Sequence, residues 1–146
     1  MKRRGALLCA AMVVLSGVTG CSSTHSKSKA ASGTGASAQV RATWLAFFDS
    51  KTPVATRISL LQSGSAFESV LAAQDRGGLM TVTVKQVTVL DSSHASVGFS
   101  LKVAPSTYLS SVAGAAVLVS GKWLVSKSTM CVVLAATGQQ FPACNS

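Results

Sequence analysis

The sequence predicts an α+β domain in which N-terminal helices pack on a curved antiparallel sheet, after a signal peptide and a flexible tether. Three observations support this prediction: an apolar leader, helical spacing of apolar residues up to position 78, and apolar–polar alternation from position 80 onward. The 146 residues suffice for one domain. Apolar residues make up 48% of the chain but aromatic residues only 5%, so the core must consist largely of Ala, Val and Leu.

Residues 1–20 have the pattern of an export signal. Basic residues at positions 2–4 precede an apolar stretch from 6 to 18, which is shorter than the roughly 20 residues needed to cross a bilayer. Residues 18–21 read Val-Thr-Gly-Cys, which resembles the processing site of a bacterial lipoprotein. This resemblance implies a diacylglycerol on the Cys21 thiol and cleavage just before it.

An ordinary secretory signal, with Cys21 unmodified, is the alternative. With the lipid, the membrane is a partner through the anchor at Cys21, and the protein lies on the outer face of the cytoplasmic membrane. After Cys21, residues 22–38 are Ser, Ala, Gly, Thr and Lys apart from His25, with no large apolar side chain, so the segment 21–38 is predicted to form a flexible tether. The folded domain is then expected over residues 39–146.

Apolar residues at helical spacing predict three short helices before position 79. Val40, Trp44 and Phe47 recur at i, i+4 and i+7, and this first stripe ends before position 49. A second helix is predicted from position 53, with Pro in its first turn, to the Gly at 64. The third begins with Ser-Ala-Phe-Glu at 65–68, the pattern of a capping box, and stops at the glycines at 77 and 78.

Two strands are predicted next. Residues 80–89 alternate between apolar and polar side chains with one slip of phase, which indicates a single strand with a β-bulge near Lys85. Residues 95–103 alternate without a fault and are predicted to form a half-buried strand.

The following segment is predicted to contain a loop and a hairpin. Residues 106–112 are interpreted as the loop. Residues 115–119 are apolar on both faces, as expected of a central strand. Ser120 and Gly121 can form a tight turn to a last strand over 122–126.

The tail contains two cysteines. After export Cys131 and Cys144 would face an oxidising exterior, where two remaining thiols usually pair. A bridge would stabilise the fold by about 3 kcal/mol in the chain-entropy model. A redox-active pair is the alternative, but the spacing is not Cys-X-X-Cys and no basic residue adjoins either sulfur. A helix is predicted over 129–137.

Five segments in order are similar to a known family: WLAFFD at 44–49, RISLLQSG at 57–64, GKWLVS at 121–126, TMC at 129–131 and PAC at 142–144. They resemble the C-terminal domain of the actinobacterial low-molecular-weight antigen family, small exported or lipid-anchored envelope proteins. The resemblance implies a cystatin-like or nuclear-transport-factor-2-like fold and a Cys131–Cys144 bridge. Ser120 departs from the Asp that the family favours in the hairpin. No reaction is assigned to this family.

Candidates for chemistry are few, because four acidic residues and two histidines leave little material for acid–base or metal sites. We expect no catalytic residue, metal site or cofactor. Cone-shaped enzymes of the related fold hold an Asp, His or Tyr inside, so Asp49 and Tyr108 are the candidates for an alternative isomerase- or hydrolase-like activity. Asp49 is otherwise a helix stop or a salt-bridge partner of Arg57. The remaining candidates are interpreted as surface or capping residues: His94, Asp75 and Glu68.

The formal charge is +9, but the basic residues are scattered singly, which argues against nucleic-acid binding. Four lysines are candidates for the outer sheet face: Lys85, Lys102, Lys122 and Lys127. Solvation of that face is the favoured interpretation, and binding of an envelope polyanion is the alternative. The leading hypothesis is a non-enzymatic, antigen-like envelope protein whose domain binds a small ligand or a neighbouring envelope protein.

Overall fold

The computed structural model describes residues 32–75, 80–103 and 107–145. Three helices precede a curled four-stranded antiparallel sheet of order β1-β2-β3-β4, and a fourth helix follows it, so the predicted α+β class is confirmed. The helices are α1 (Ser32–Phe48), α2 (Val54–Ser59), α3 (Glu68–Asp75) and α4 (Lys127–Ala136). The strands are β1 (Met80–Val89), β2 (His94–Val103), β3 (Thr107–Val119) and β4 (Lys122–Val125).

Helix α1 buries the predicted apolar stripe against the sheet. Val40, Trp44 and Phe47 are fully buried, and Phe48 is 1% exposed. The helix contacts β1 and β4, the two outer strands of the sheet, so it crosses the concave side from one edge to the other. The helical spacing of these residues therefore predicted the main layer of the core.

Helix α1 begins at Ser32, inside the segment predicted to be a flexible tether. Ala36 packs against the core one turn before Val40, which favours continuing the helix toward the N-terminus despite its poor helix formers. The expectation of a coil up to position 38 is therefore wrong for its last part. Residues 1–31, which include the predicted leader and Cys21, lie outside the described residues.

The second helix ends earlier than predicted, at Ser59 instead of near Gly64, because the chain leaves the helix to pair beside β4. Gln62 N–H donates to the Val125 carbonyl over 2.8 Å, and Val125 N–H donates to the Leu60 carbonyl over 2.9 Å. We call this segment, residues 60–62, the edge strap, because it covers the free edge of β4. Covering an edge removes a template for pairing with another chain.

Gly64 follows the edge strap in a crowded turn. A Cβ atom there would overlap the carbonyl oxygen of Ile58, so the backbone approach requires glycine. The predicted capping box is wrong, because Ser65 lies inside a 3-10 turn (Gly64–Phe67) and α3 starts only at Glu68. The glycines predicted to end α3 lie outside the described residues.

The β-bulge predicted in β1 is confirmed. Val84 pairs with Phe99 and Gln86 with Gly98, so one extra residue, Lys85, is inserted in β1. This insertion explains the slip of phase in the sequence. Because one residue is extra, the apolar side chains before and after the bulge all point to the same face of the sheet.

A second bulge lies in β3, where the sequence predicted a loop. Phe99 pairs with Val112 and Leu101 with Leu109, so β3 carries the extra residue at positions 110–111. Ser111 has φ 59°, in the left-handed region that non-glycine residues rarely adopt. The predicted loop over 106–112 is therefore wrong from residue 107 onward. The bulge breaks the alternation that would have identified a strand.

The β3–β4 connection is the predicted tight hairpin. Ser120 has φ 49° and Gly121 has φ 78°, and positive φ at both central residues is typical of a type I′ turn. β3 lies between β2 and β4, as expected of a central strand.

Buried hydroxyl groups attach α4 to β3 beyond the end of β4. The Ser126 side chain caps the helix by accepting from Thr129 N–H over 3.2 Å. Thr129 Oγ1 accepts from Ala115 N–H over 2.8 Å, and Ser126 N–H donates to the Ala115 carbonyl over 2.9 Å. These contacts continue the hydrogen bonding of β3 where β4 has ended. The helix begins at Lys127, before the predicted start at 129.

The disulfide between Cys131 and Cys144 is confirmed, with 5.6 Å between the Cα atoms. It ties the last residues of the chain to α4. Phe141, inside the closed loop, stacks on the buried Phe67 with 5.5 Å between ring centroids, so the tail also packs on the core.

Candidate functional site

The concave side of the sheet is filled by aromatic side chains. Trp44 and Phe99 are fully buried there, and their rings meet edge to face with 5.7 Å between centroids. The ring of Phe48 lies 5.9 Å from that of Phe99. Gly114 permits this packing, because a Cβ atom would lie 2.8 Å from Cζ2 of Trp44. The indole Nε1 of Trp44 is buried and has no hydrogen-bond partner within the described residues.

Asp49 lies on the surface at the end of α1. Its Oδ1 accepts from Lys51 N–H over 2.9 Å, so the carboxylate closes a local turn, as a helix stop does. The other interpretation, a salt bridge to Arg57, is wrong, because Arg57 donates to the Phe47 carbonyl and to Gln74 instead. The residue borders an open depression of about 390 Å³ between α1 and β1, floored by Phe48 and Met80.

Tyr108, the second catalytic candidate, lies in β3 and pairs with Lys102 in the register of β2. Its side chain lies outside the described part of the structure. The sequence predicted a loop at this position, and its place in β3 corrects that prediction.

Arg57 is buried, with 2% of its surface exposed. Its Nε donates to the Phe47 carbonyl over 2.8 Å and its Nη2 to Gln74 Oε1 over 3.1 Å. Cζ lies 5.7 Å from the centroid of the Phe47 ring. Burial lowers the pKa of the guanidinium, and Asp75 partly opposes this. The guanidinium donates a hydrogen bond to a carbonyl at the C-terminus of α1 that has no partner within the helix, so its role is structural.

A Ser, a His and an Asp meet at the β1–β2 hairpin. Nδ1 of His94 lies 3.0 Å from both carboxylate oxygens of Asp91, and also 3.0 Å from Oγ of Ser93. A catalytic triad needs the carboxylate and the hydroxyl on opposite ring nitrogens, so this arrangement cannot relay a proton between them. Hydrogen bonds lower the pKa of the Asp91 carboxyl group to about 2. The bond from the Ser93 N–H has the largest effect, and the bond from the His94 side chain has the second largest. His94 is exposed, as predicted for a hairpin tip.

The outer face of the sheet carries three of the four predicted lysines. Lys85, Lys102 and Lys122 are exposed on this face, whereas Lys127 is the first residue of α4. Lys85 Nζ donates to Ser111 Oγ over 3.2 Å, so the side chains of the two bulges meet across β2. The sequence did not identify Ser111. The serine pair at 110–111, where the alternation stops, was the available signal.

The paired bulges border a groove of about 340 Å³ on this outer face, which we call the bulge groove. Its floor includes Gly98, and hydroxyl, amide and ammonium groups surround it. The lining residues are Lys85, Gln86, Thr88, Ser96, Gly98, Phe99, Ser111, Val112 and Ala113.

Neither a cluster of metal ligands nor a membrane-spanning helix is found among the described residues. Across the ranges 32–75, 80–103 and 107–145, His, Cys, Asp and Glu side chains form no group of three or more suited to a metal ion. Over the same ranges, none of the helices has both the length and the apolar character that a membrane span requires.

Comparison with known proteins identifies the family. Residues 34–141 match the domain described as low molecular weight antigen MTB12, C-terminal domain. No curated protein matches the chain. The matched range begins in α1, includes the whole sheet and α4, and ends just before the final 3-10 turn (Pro142–Cys144). Since this match spans most of the sequence, the chain belongs to the family of the low molecular weight antigen MTB12, whose C-terminal domain it contains.

Proposed function

We propose that this protein is a lipid-anchored envelope protein whose folded domain is a non-enzymatic binding or interaction module. The observation that supports a binding role most directly is the filled concave side of the sheet. Trp44, Phe48 and Phe99 pack on one another on this side, where a cone-shaped enzyme would hold its substrate. Contacts with other molecules are therefore expected on the outer surface of the domain.

The alternative enzyme gains no support from Asp49. Its carboxylate is exposed and already accepts a hydrogen bond from Lys51 N–H. A general acid or base is usually tuned by burial or by a charged neighbour in a cleft.

The proposed anchor follows from residues 18–21, Val-Thr-Gly-Cys, behind a short apolar leader. Each buried CH₂ of an acyl chain contributes about 0.8 kcal/mol, so two or three chains on Cys21 would hold the protein firmly. Lys27 and Lys29 follow closely, and each would add about 1 kcal/mol of attraction to anionic headgroups.

Metabolic labelling with an alkyne analogue of palmitate tests the anchor. We expect the wild-type chain to incorporate the label and Cys21→Ala to lose it. Cys9→Ala is the matched control, because this thiol lies in the segment predicted to be removed, and it should label as the wild type does. Equal labelling of Cys21→Ala and the wild type, or no labelling of the wild type, would contradict the proposal. The mass of the mature N-terminal peptide provides a second readout.

A further inference from the structure

We propose that the bulge groove is the ligand site of this domain and that it takes a sugar unit carrying a negatively charged group, either a carboxylate or a phosphate. This inference rests on the proposed binding function and specifies its site and ligand class.

The first support is the coincidence of two bulges on the strands that flank β2. One inserts Lys85 into β1, and the other lies at Ser111 in β3. Their side chains meet over 3.2 Å. A bulge redirects the side chain that it inserts, and bulges are frequent beside functional sites. Here the two bulges bring an ammonium and a hydroxyl group to one end of the same groove.

The second support is backbone strain at the same place. Ser111 adopts φ 59°, which is unfavourable for a residue with a Cβ atom. Such conformations persist where the surrounding structure imposes them, and they concentrate at ligand sites. Curving the sheet requires a bulge, but it does not require polar side chains from both bulges to converge.

The third support is the chemistry of the lining. Gln86, Thr88 and Ser96 offer an amide and two hydroxyl groups, and Gln86 Nε2 donates to Thr88 Oγ1 over 3.2 Å. Gly98 has no side chain, which leaves the middle of the groove open. The ring of Phe99 is fully buried on the concave side, so the groove on the outer face offers no exposed aromatic pocket for an apolar peptide side chain. Hydroxyl and amide groups are suited to the hydroxyl groups of a sugar.

The positive charge at the groove favours a ligand that carries a negatively charged group. The Lys85 ammonium has three N–H donors, and its hydrogen bond to Ser111 uses one of them. Lys102 lies on the same face and adds positive potential. The four carboxylates of the described residues lie elsewhere: three on or beside the helices, and Asp91 at the β1–β2 hairpin. A negatively charged group is therefore attracted to the Lys85 end of the groove, which lies farther along β1 from Asp91 than Thr88 does.

The volume fits a small polar ligand. At about 340 Å³ the groove is at the lower end of the range of ligand pockets, about 300–1,000 Å³. It is open to solvent along one side, so a longer polymer can continue beyond the bound unit.

The test is a titration of the full chain, in a non-ionic detergent, with trigalacturonate and with mannose 6-phosphate. Maltotriose provides a neutral sugar and inorganic phosphate provides the anion alone. We expect one or both anionic sugars to bind, and maltotriose and phosphate to bind at least about tenfold more weakly, since hydrogen bonds to both parts of the ligand are needed. Equal affinity for phosphate or for maltotriose, or no binding of either anionic sugar, would overturn the proposal. The two anionic arms distinguish a carboxylate from a phosphate as the charged group.

Variants locate the site. Lys85→Gln should weaken binding of the anionic sugar about tenfold, the usual effect of losing a hydrogen bond to a charged group. Gly98→Val should abolish binding by filling the groove. Its Cβ would meet nothing closer than Gln86 Cβ at 3.8 Å, so the fold should tolerate it, as near-UV circular dichroism can verify. Lys122→Gln, on the same face but outside the groove, is the matched control.

A general attraction to the basic face predicts equal losses in Lys85→Gln and Lys122→Gln, and that result would overturn the groove as the site. Anionic-sugar binding that persists in Gly98→Val would do the same, while leaving the binding function of the domain intact. The labelling experiment on Cys21 is independent of both results, so failure of the anchor and failure of the groove are distinguishable.

Discussion

Replacing Gly64 with Ala is expected to destabilise the domain strongly, because the space for a Cβ atom is already occupied. The added atom would overlap the Ile58 carbonyl oxygen and would lie 2.8 Å from the carbonyl carbon. The oxygen is not free to turn away, since it accepts from Leu61 N–H over 3.3 Å. Relief therefore requires the backbone between α2 and the following 3-10 turn to move, and this segment is the edge strap.

The cost can be worked from these contacts. Overpacking a rigid site costs about 1–3 kcal/mol. Displacing the two hydrogen bonds between the edge strap and Val125 adds about 0.5–1.5 kcal/mol each. The gain from stiffening the unfolded chain, about 0.4–1 kcal/mol, offsets only part of this sum. We expect a net loss of about 1–5 kcal/mol, which for a domain of this size corresponds to a fall in Tm of roughly 5 °C or more.

Thermal unfolding of the full chain, followed by far-UV circular dichroism, measures this effect. Gly98→Ala is the matched control, because its Cβ would lie 3.8 Å from the nearest atom and glycine weakens a strand interior. This control should melt at the wild-type temperature or slightly above it. If Gly64→Ala melts within about 2 °C of the wild type, the close approach to Ile58 does not constrain the fold and the reasoning is refuted.

Three further predictions concern the turn, the disulfide and the hairpin. Ser120→Asn should raise the free energy of unfolding by about 0.5 kcal/mol in a urea titration, because Asn tolerates positive φ better in a type I′ turn; a loss would contradict the turn assignment. Replacing both Cys131 and Cys144 with Ala should lower that free energy by about 2–4 kcal/mol, and an unchanged urea midpoint would show that the bridge does not constrain the unfolded chain. The pKa of Asp91 is lowered from 3.8 to about 2, so its stabilising contribution is present above pH 3.8 and is lost as the pH falls through about 2. An NMR titration of the Asp91 side-chain carbon should show this midpoint, and His94→Gln should move it upward; an unmoved midpoint would exclude a role for the imidazole.

Periodic features of the sequence predicted most of the fold. The stripe from Val40 to Phe48 needed no tertiary information, because its spacing requires one buried helical face. The phase slip at Lys85 was equally informative, since a strand with one buried face can lose phase only by inserting a residue.

The features that the sequence did not reveal depend on contacts between distant segments. The edge strap ends α2 through hydrogen bonds to β4, and no local pattern indicates such a partner. A salt bridge to Asp49 was one of two interpretations, but Arg57 is buried, because the end of α1 offers it a carbonyl and α3 offers it Gln74. The first part of β3 was missed because Ser111 interrupts the alternation with a left-handed residue.

The candidate site was predicted only in part. Lysines on the outer face followed from strand alternation, and Lys85, Lys102 and Lys122 lie there. The contact between Lys85 and Ser111 depends on the bulges in β1 and β3, which lie on either side of β2. Neither strand's sequence alone indicates that the two bulges lie opposite each other.

The packing of Trp44 has a consequence for the order of events during synthesis. This side chain, near the start of the domain, packs closely against Gly114 in β3. Thr43 Oγ1 likewise donates to the Trp123 carbonyl over 3.2 Å. A polypeptide that lacks β3 and β4 thus leaves this indole ring uncovered, so the core can assemble only after most of the chain has been made.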